Sequence, residues 1–146
     1  MIVLVDSGIL IRLVEPQDQQ HRAIEDSVTR LLTHGDRLIA STQNFAEFWN
    51  VCTRPKSARG GLGLTIPETE RRLTILERLI PVLAEHSATY SIWRGLVVQY
   101  RVSGRQVHDA RLAAQMLAHG LTQILTLNGS DFSRYPGITV IDPATP

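Results

Sequence analysis

Short apolar runs alternate with longer amphipathic stretches along nearly the whole chain, and this alternation constrains the fold more than any other feature. Ile2–Val5 and residues 37–40, 82–84, 123–127 and 138–141 have strand length and apolar content. Between them lie helix signals. Asp6-Ser7 can cap a helix holding Ile9, Leu10 and Leu13, with Pro16 ending it. Residues 21–33 place Ile24, Val28, Leu31 and Leu32 on one face, with Gly35 as a stop. Thr42 is a candidate cap for a helix bearing Phe45, Phe48, Trp49 and Cys52, which should stop by Arg54 because Pro55 follows. Thr65-Ile-Pro-Glu68 has capping-box spacing and opens a helix burying Leu73, Leu76 and Ile80. Residues 87–102 and 107–118 are two further helices, the second rich in alanine and suited to lie close against a sheet. Strands alternating with helices predict an α/β fold whose central, mainly parallel sheet is flanked by helices.

The 146 residues suit one domain. An apolar share of 43% and a charged share of 20% exclude a disordered chain. No apolar run approaches the ~20 residues of a membrane span, so no membrane partner is expected. The start reads as a buried strand rather than a signal peptide. Cys52, the single cysteine, rules out an intrachain disulfide and a cysteine-based zinc site, and favours a cytoplasmic setting. Its apolar neighbours point to packing rather than to a nucleophile. A net charge of +1 does not announce a nucleic-acid binder. Lys56 is the only lysine among 15 basic residues, a bias toward arginine to which little weight attaches.

In an open parallel sheet, sites form at the carboxyl ends of strands. Asp6 immediately follows the first strand. Asp131 follows the fourth after an Asn-Gly-Ser turn, Asp109 sits in the first turn of the alanine-rich helix, and Glu47 lies about one turn into the helix after the second strand. Taken singly, each has an ordinary reading: Asp6 as a helix cap, Glu47 as a solvated residue, Asp109 as a partner of the helix dipole, Asp131 as an Asx-turn residue. Taken together, two carboxylates ~4 Å apart repel by about 4 kcal/mol at an effective dielectric near 20. A converged set therefore calls for protonation or a bound cation, and oxygen ligands suit Mg²⁺ or Mn²⁺.

Four segments resemble the motifs of PIN domains, the fold of the VapC toxins of bacterial toxin–antitoxin pairs. They are Val5-Asp6-Ser7-Gly8-Ile9-Leu10, the stretch from Thr42 through Glu47 to Arg54-Pro55, Val107-His-Asp109-Ala-Arg-Leu-Ala-Ala114, and Thr126-Leu-Asn128-Gly-Ser-Asp131-Phe132. The likeness runs from the first strand to the last, which implies a single PIN domain over residues 1–146. Gly8 departs from the residues usual in the first motif. In the fourth, either Asn128 or Asp131 fills the ligand position.

The resemblance implies a metal-dependent endoribonuclease. Asp6, Glu47 and Asp109 would bind Mg²⁺ (or Mn²⁺), with Asp131 or Asn128 completing the site. Ser7 and Thr126 would add hydroxyl contacts. From composition rather than resemblance, Arg54, Lys56 and Arg59 in a basic, Gly-rich loop are candidate contacts to RNA phosphates, with a solvated turn as the alternative. The resemblance also implies a homodimer and a cognate antitoxin partner. The alternative is a PIN-like protein that binds RNA or a partner without cutting, against which the complete acidic set argues. A phosphatase or phospho-acceptor with Asp6 as nucleophile fits less well: residue 8 is Gly where an Asp-x-Asp pair is needed, and no lysine stands late in the chain. His108 beside Asp109 suggests a general base, but adjacent helical residues do not face each other. Gly60–Gly63 lacks the Lys-Ser/Thr of a P-loop. Trp93 and Tyr100 have the helical spacing of packing residues.

Overall fold

The computed structural model describes residues 1–145. The elements run β1 (Ile2–Val5), α1 (Ser7–Leu13), α2 (His21–His34), β2 (Arg37–Ser41), α3 (Thr42–Thr53), α4 (Ile66–Leu79), β3 (Val82–Leu83), α5 (Thr89–Gln99), α6 (Gln106–Ala118), β4 (Gln123–Leu125) and β5 (Thr139–Ile141). The strands form one sheet in the order β3-β2-β1-β4-β5. All four pairings are parallel, so the sheet is wholly rather than mainly parallel.

Parallel strands covered on both faces read as continuous apolar runs. Accordingly Val3, Leu4 and Val5 are all fully buried. Alternate residues feed two cores. Val3, Val5, Leu38, Ala40 and Leu125 pack with α1, α2, α3 and α4 through Ile9, Leu10, Ile24, Val28, Phe45, Phe48, Leu76 and Ile80. Leu4, Leu83 and Ile124 pack on the other face with α5 and α6 through Leu96, Ala110, Ala113, Ala114 and Met116. The chain first builds outward from β1 to β2 and β3, then returns to lay β4 and β5 on the other side of β1. Because crossovers keep one hand, reversing direction moves the connecting helices to the opposite face. The reversal falls between β1 and β4, and this is where an open α/β sheet leaves a crevice.

Several local expectations shift. The cap of α3 is Ser41, one residue before Thr42: its hydroxyl accepts from Asn44 N–H, and the Asn44 side chain returns a bond to the Ser41 backbone. This is a reciprocal capping box with Asn in place of Glu. At α4, Thr65 accepts from Glu68 N–H, but the Glu68 carboxylate turns to Arg71 and Arg72 instead of closing its half of the box. The fourth strand ends at Leu125, two residues early, although Thr126 N–H still donates to Ile141 O at 3.2 Å and Leu127 packs against the first core. The fifth helix is shorter than the amphipathic stretch, starting at Thr89. Trp93 is half-buried against the second core, its indole N–H donating to Val107 O at 2.9 Å, and Tyr100 packs edge-on against Tyr135.

The Gly-rich stretch is a pinned cap on α3. Leu62, Gly63 and Leu64 donate backbone N–H to the carbonyls of Val51, Arg54 and Cys52, the last-turn oxygens a helix leaves open. Gly61 is obligatory for this approach: a Cβ there would stand 2.2 Å from Pro55 O. Cys52 is fully buried and desolvation pushes its thiol up to about 11, so it is a packing residue.

Candidate active site

The carboxyl edge of the sheet holds a cleft of about 760 Å³. Its walls include Asp6, Glu47, Asp109, Asn128 and Asp131, so the tertiary fold brings every acid singled out in the sequence to one place. Each arrives by a different route.

Asp6 ends β1, and its N–H continues the ladder by donating to Leu125 O at 3.0 Å. Its carboxylate caps α1, accepting from Ser7 N–H at 2.8 Å. Thr126 Oγ1 donates to the other carboxylate oxygen at 2.7 Å, and Asn44 Nδ2 adds a longer contact of 3.4 Å. The cap reading and the site reading of Asp6 are thus both correct. Burial is the largest influence on Asp6 and raises its pKa; the bonds from Thr126 and Ser7 oppose this, and the charges of Glu47 and Asp131 reinforce it.

Glu47 stands one turn beyond Gln43 on α3 and is exposed to the cleft. Asp109 lies in the first turn of α6. Desolvation and then the charges of Asp131, Asp6 and Glu47 push its pKa up to about 6, with His108 opposing. Three other carboxylates are thus felt at Asp109, after the effect of burial.

Asn128 precedes, and Asp131 ends, a short 3₁₀ turn, Gly129–Asp131. Asn128 N–H donates to Thr126 Oγ1 at 3.0 Å, and Asp131 N–H donates to Asn128 O at 3.0 Å. The buried rings of Phe132 and Tyr135 hold the turn to the second core. Both Asn128 and Asp131 face the cleft. Asp131 is the one whose charge bears on both Asp6 and Asp109.

The donors suit a hard cation: carboxylates and an amide, with no thiol. Among the described residues, however, no three acidic, histidine or cysteine side chains stand close enough to hold one ion as they are arranged. Glu47 is exposed on a flexible side chain and can swing inward without moving α3. The fit is therefore one of chemistry and charge.

Around the acids stand Arg12, Arg54, Arg59 and Arg105. Arg54 also donates to Arg59 O, fixing the pinned loop as one wall. Of the expected substrate contacts, Ser7, Arg54 and Arg59 line the cleft, whereas Lys56 is exposed away from its lining. Thr126 is fully buried with its hydroxyl committed to Asp6, so it holds the carboxylate in place and has no surface for substrate. His108 lines the cleft, and its carbonyl accepts from Gln43 Nε2 at 2.8 Å.

Sequence reasoning missed Arg12, Gln43, Asn44 and Arg105. Asn44 was legible, since Ser41-x-x-Asn44 has capping-box spacing. The others carry no local signal, because only the fold turns them to the cleft.

No curated protein matches the chain. Among solved structures, it is similar to a chain of VapBC-1 from nontypeable Haemophilus influenzae, with 23% identity, a TM-score of 0.71, and 99% and 100% of the two chains covered. It is also similar to a chain of VapBC2 from Rickettsia felis bound to a promoter DNA fragment, at 15% identity and TM-score 0.70 over 97% and 98% of the chains. A third similarity is to VapC20 of Mycobacterium tuberculosis, a toxin cleaving the sarcin-ricin loop, at 18% identity and TM-score 0.63 over 92% and 95%. These likenesses show the fold. Residues 3–138 match the PIN domain family, and the chain belongs to it.

Proposed function

We propose that this chain is a Mg²⁺-dependent endoribonuclease, with Mn²⁺ as an alternative ion, acting as the toxin of a toxin–antitoxin pair. The observation that carries this reading is the convergence of Asp6, Glu47, Asp109 and Asp131 on one cleft, where burial and then the charges of the other three raise Asp109 to about 6. The fold likeness to VapBC structures, and to a toxin that cleaves the sarcin-ricin loop, supports the substrate class and the partner.

Asp6, Glu47 and Asp109 would hold the ion, with Asp131 completing the set and Asn128 assisting. A bound divalent cation would supply a water of lowered pKa and offset charge developing on the phosphoryl oxygens. The protein's own contributions are positional. Thr126 and Ser7 fix both oxygens of the Asp6 carboxylate, leaving it one orientation toward the cleft. Arg12, Arg54, Arg59 and Arg105 ring the acidic floor and would draw a phosphodiester backbone across it. No side-chain nucleophile is needed.

The antitoxin and a second copy of the chain are proposed partners. Ile66, Ile75 and Leu79 on α4, and Tyr90 and Val98 on α5, leave apolar surface for them to cover. Among the described residues no helix is long and apolar enough to cross a membrane.

Incubating end-labelled RNA with the purified chain and Mg²⁺ or Mn²⁺ tests the function. Cutting that EDTA abolishes is the expected result. An RNA left intact by folded, antitoxin-free protein across transfer, ribosomal and messenger RNAs would overturn it and favour a binding-only PIN protein.

A further inference from the structure

Glu47 and Asp109 must act together, yet they stand on helices that share no core. Phe45, Phe48 and Cys52 anchor α3 in the core on one face of the sheet. Ala110, Leu112, Ala113 and Ala114 anchor α6 in the core on the other. Apolar packing therefore fixes each helix against the sheet but does not by itself fix one against the other across the carboxyl edge.

A polar bridge spans that gap. Gln43, in the first turn of α3, donates from Nε2 to His108 O at 2.8 Å, the carbonyl next to Asp109. Its Oε1 accepts from Arg111 Nη1 on α6 at 2.6 Å. Both polar ends of the one amide are thus spent on α6, one residue before and two residues after Asp109. Arg111 is braced in turn: its Nη2 reaches both Glu85 oxygens at 3.1 and 3.3 Å. Glu85, just beyond β3, also accepts from Thr42 Oγ1 at 2.5 Å, the α3 residue beside Gln43. The result is a closed ring, Thr42–Glu85–Arg111–Gln43, that ties α3, the end of β3 and α6 together. Glu47 lies four residues after Gln43, on the same helical face one turn on.

We infer that Gln43 is a positioning residue, setting the separation of Glu47 and Asp109 across the sheet edge, with Arg111 and Glu85 as its brace. This rests on the reading of those two acids as metal ligands. Gln43 touches the His108 carbonyl and the Arg111 guanidinium on either side of Asp109, not the acids themselves or the reacting atoms. An amide suits the task because it donates to a carbonyl and accepts from a guanidinium at once; a carboxylate would meet the His108 carbonyl with a second acceptor.

The test is Mn²⁺ affinity, measured by electron paramagnetic resonance on the full chain. Melting temperature is followed in parallel, for the parent, Gln43→Met, Arg111→Ala and the double variant. Gln43→Met keeps the volume and removes both polar links. The expected result is a Mn²⁺ dissociation constant weakened roughly 10–100-fold in Gln43→Met, as for other residues that orient ligands. Arg111→Ala should weaken it less, and the double variant should be no worse than Gln43→Met alone, because the brace acts through the amide. A purely structural role would lower the melting temperature and leave the Mn²⁺ affinity of the folded protein within twofold of the parent, overturning the inference. If Gln43→Met proves unfolded, Gln43→Leu is the substitute, with the same two outcomes. A folded parent that binds no Mn²⁺ would overturn the metal-site reading and this inference with it, whereas equal binding by parent and variant would overturn this inference alone.

Discussion

The hydroxyl of Thr126 donates to Asp6 Oδ2 at 2.7 Å while accepting from the N–H of Asn128 at 3.0 Å. One buried oxygen thus links the acid that ends β1 to the turn that carries Asn128 and Asp131. Replacing it tests that link. Thr126→Val keeps the shape and leaves an unpaired carboxylate oxygen and an unpaired N–H, a loss of about 1–3 kcal/mol by chemical denaturation. The Asp6 pKa, already raised by burial, should rise further because its strongest opposing bond is gone. Thr126→Ser should restore most of the stability, since it restores the hydroxyl.

Asp109 gives the stability of the metal-free protein a definite pH dependence. Its folded pKa, about 6, lies above the ordinary 3.8. A carboxyl raised on folding binds its proton more tightly in the native state, so it favours the fold below the unfolded value. That advantage is lost as pH rises through the folded value. Asp109→Asn should therefore melt higher than the parent at pH 7.5 in EDTA, by ~3 °C or about 1 kcal/mol once its partial exposure is allowed for. The difference should shrink to nothing near pH 4. Thermal scans across this window check it; a difference independent of pH would contradict the charge argument.

The same titration should appear in ion binding. An ion held by Asp109 as proposed would compete with its proton, so the Mn²⁺ affinity of the parent should fall as pH drops through about 6. Calorimetric titrations at pH 5 and 7.5 read this directly, with weaker binding at the lower pH.

The loop after α3 is built on one close approach. Gly61→Ala would push a methyl to 2.2 Å from Pro55 O and 2.6 Å from Arg54 O, both backbone atoms that cannot move aside. A loss of about 2–3 kcal/mol is expected. Gly95→Ala on α5 is the contrasting case: its added Cβ meets nothing within 4 Å, and helix propensity predicts a gain of ~0.5–1 kcal/mol. Urea denaturation of the two variants distinguishes them.

The architecture was legible because strand and helix periods are local properties. Ile2–Val5 reads as a buried strand from its own residues, and the structure buries Val3, Leu4 and Val5 completely. The acids were legible as candidates because Asp6 follows a strand, Asp109 stands in the first turn of a helix, and Glu47 and Asp131 lie within a turn or two of a strand's end. What stayed hidden depends on distance in space. Nothing near Gln43 in sequence announces His108 or Arg111, more than sixty residues away. Thr126 was legible as a hydroxyl near the site, but its commitment to Asp6 was not, because the two residues lie 120 positions apart in sequence. Ser41 rather than Thr42 caps α3 because two adjacent hydroxyl residues offer the same local signal, and only the Asn44 side chain decides between them.

Cleavage of end-labelled RNA by the parent and by Asp6→Asn, side by side in Mg²⁺ and in EDTA, tests the central claim most directly. Asp6→Asn keeps one acceptor, for Ser7 N–H, and offers Thr126 an amide N–H that its hydroxyl can accept by turning its own proton away, so it should fold while losing the charge proposed to hold a cation. The prediction is metal-dependent cutting by the parent, abolished by EDTA and reduced at least ~100-fold in Asp6→Asn. Equal cutting by parent and variant would contradict a site built on Asp6.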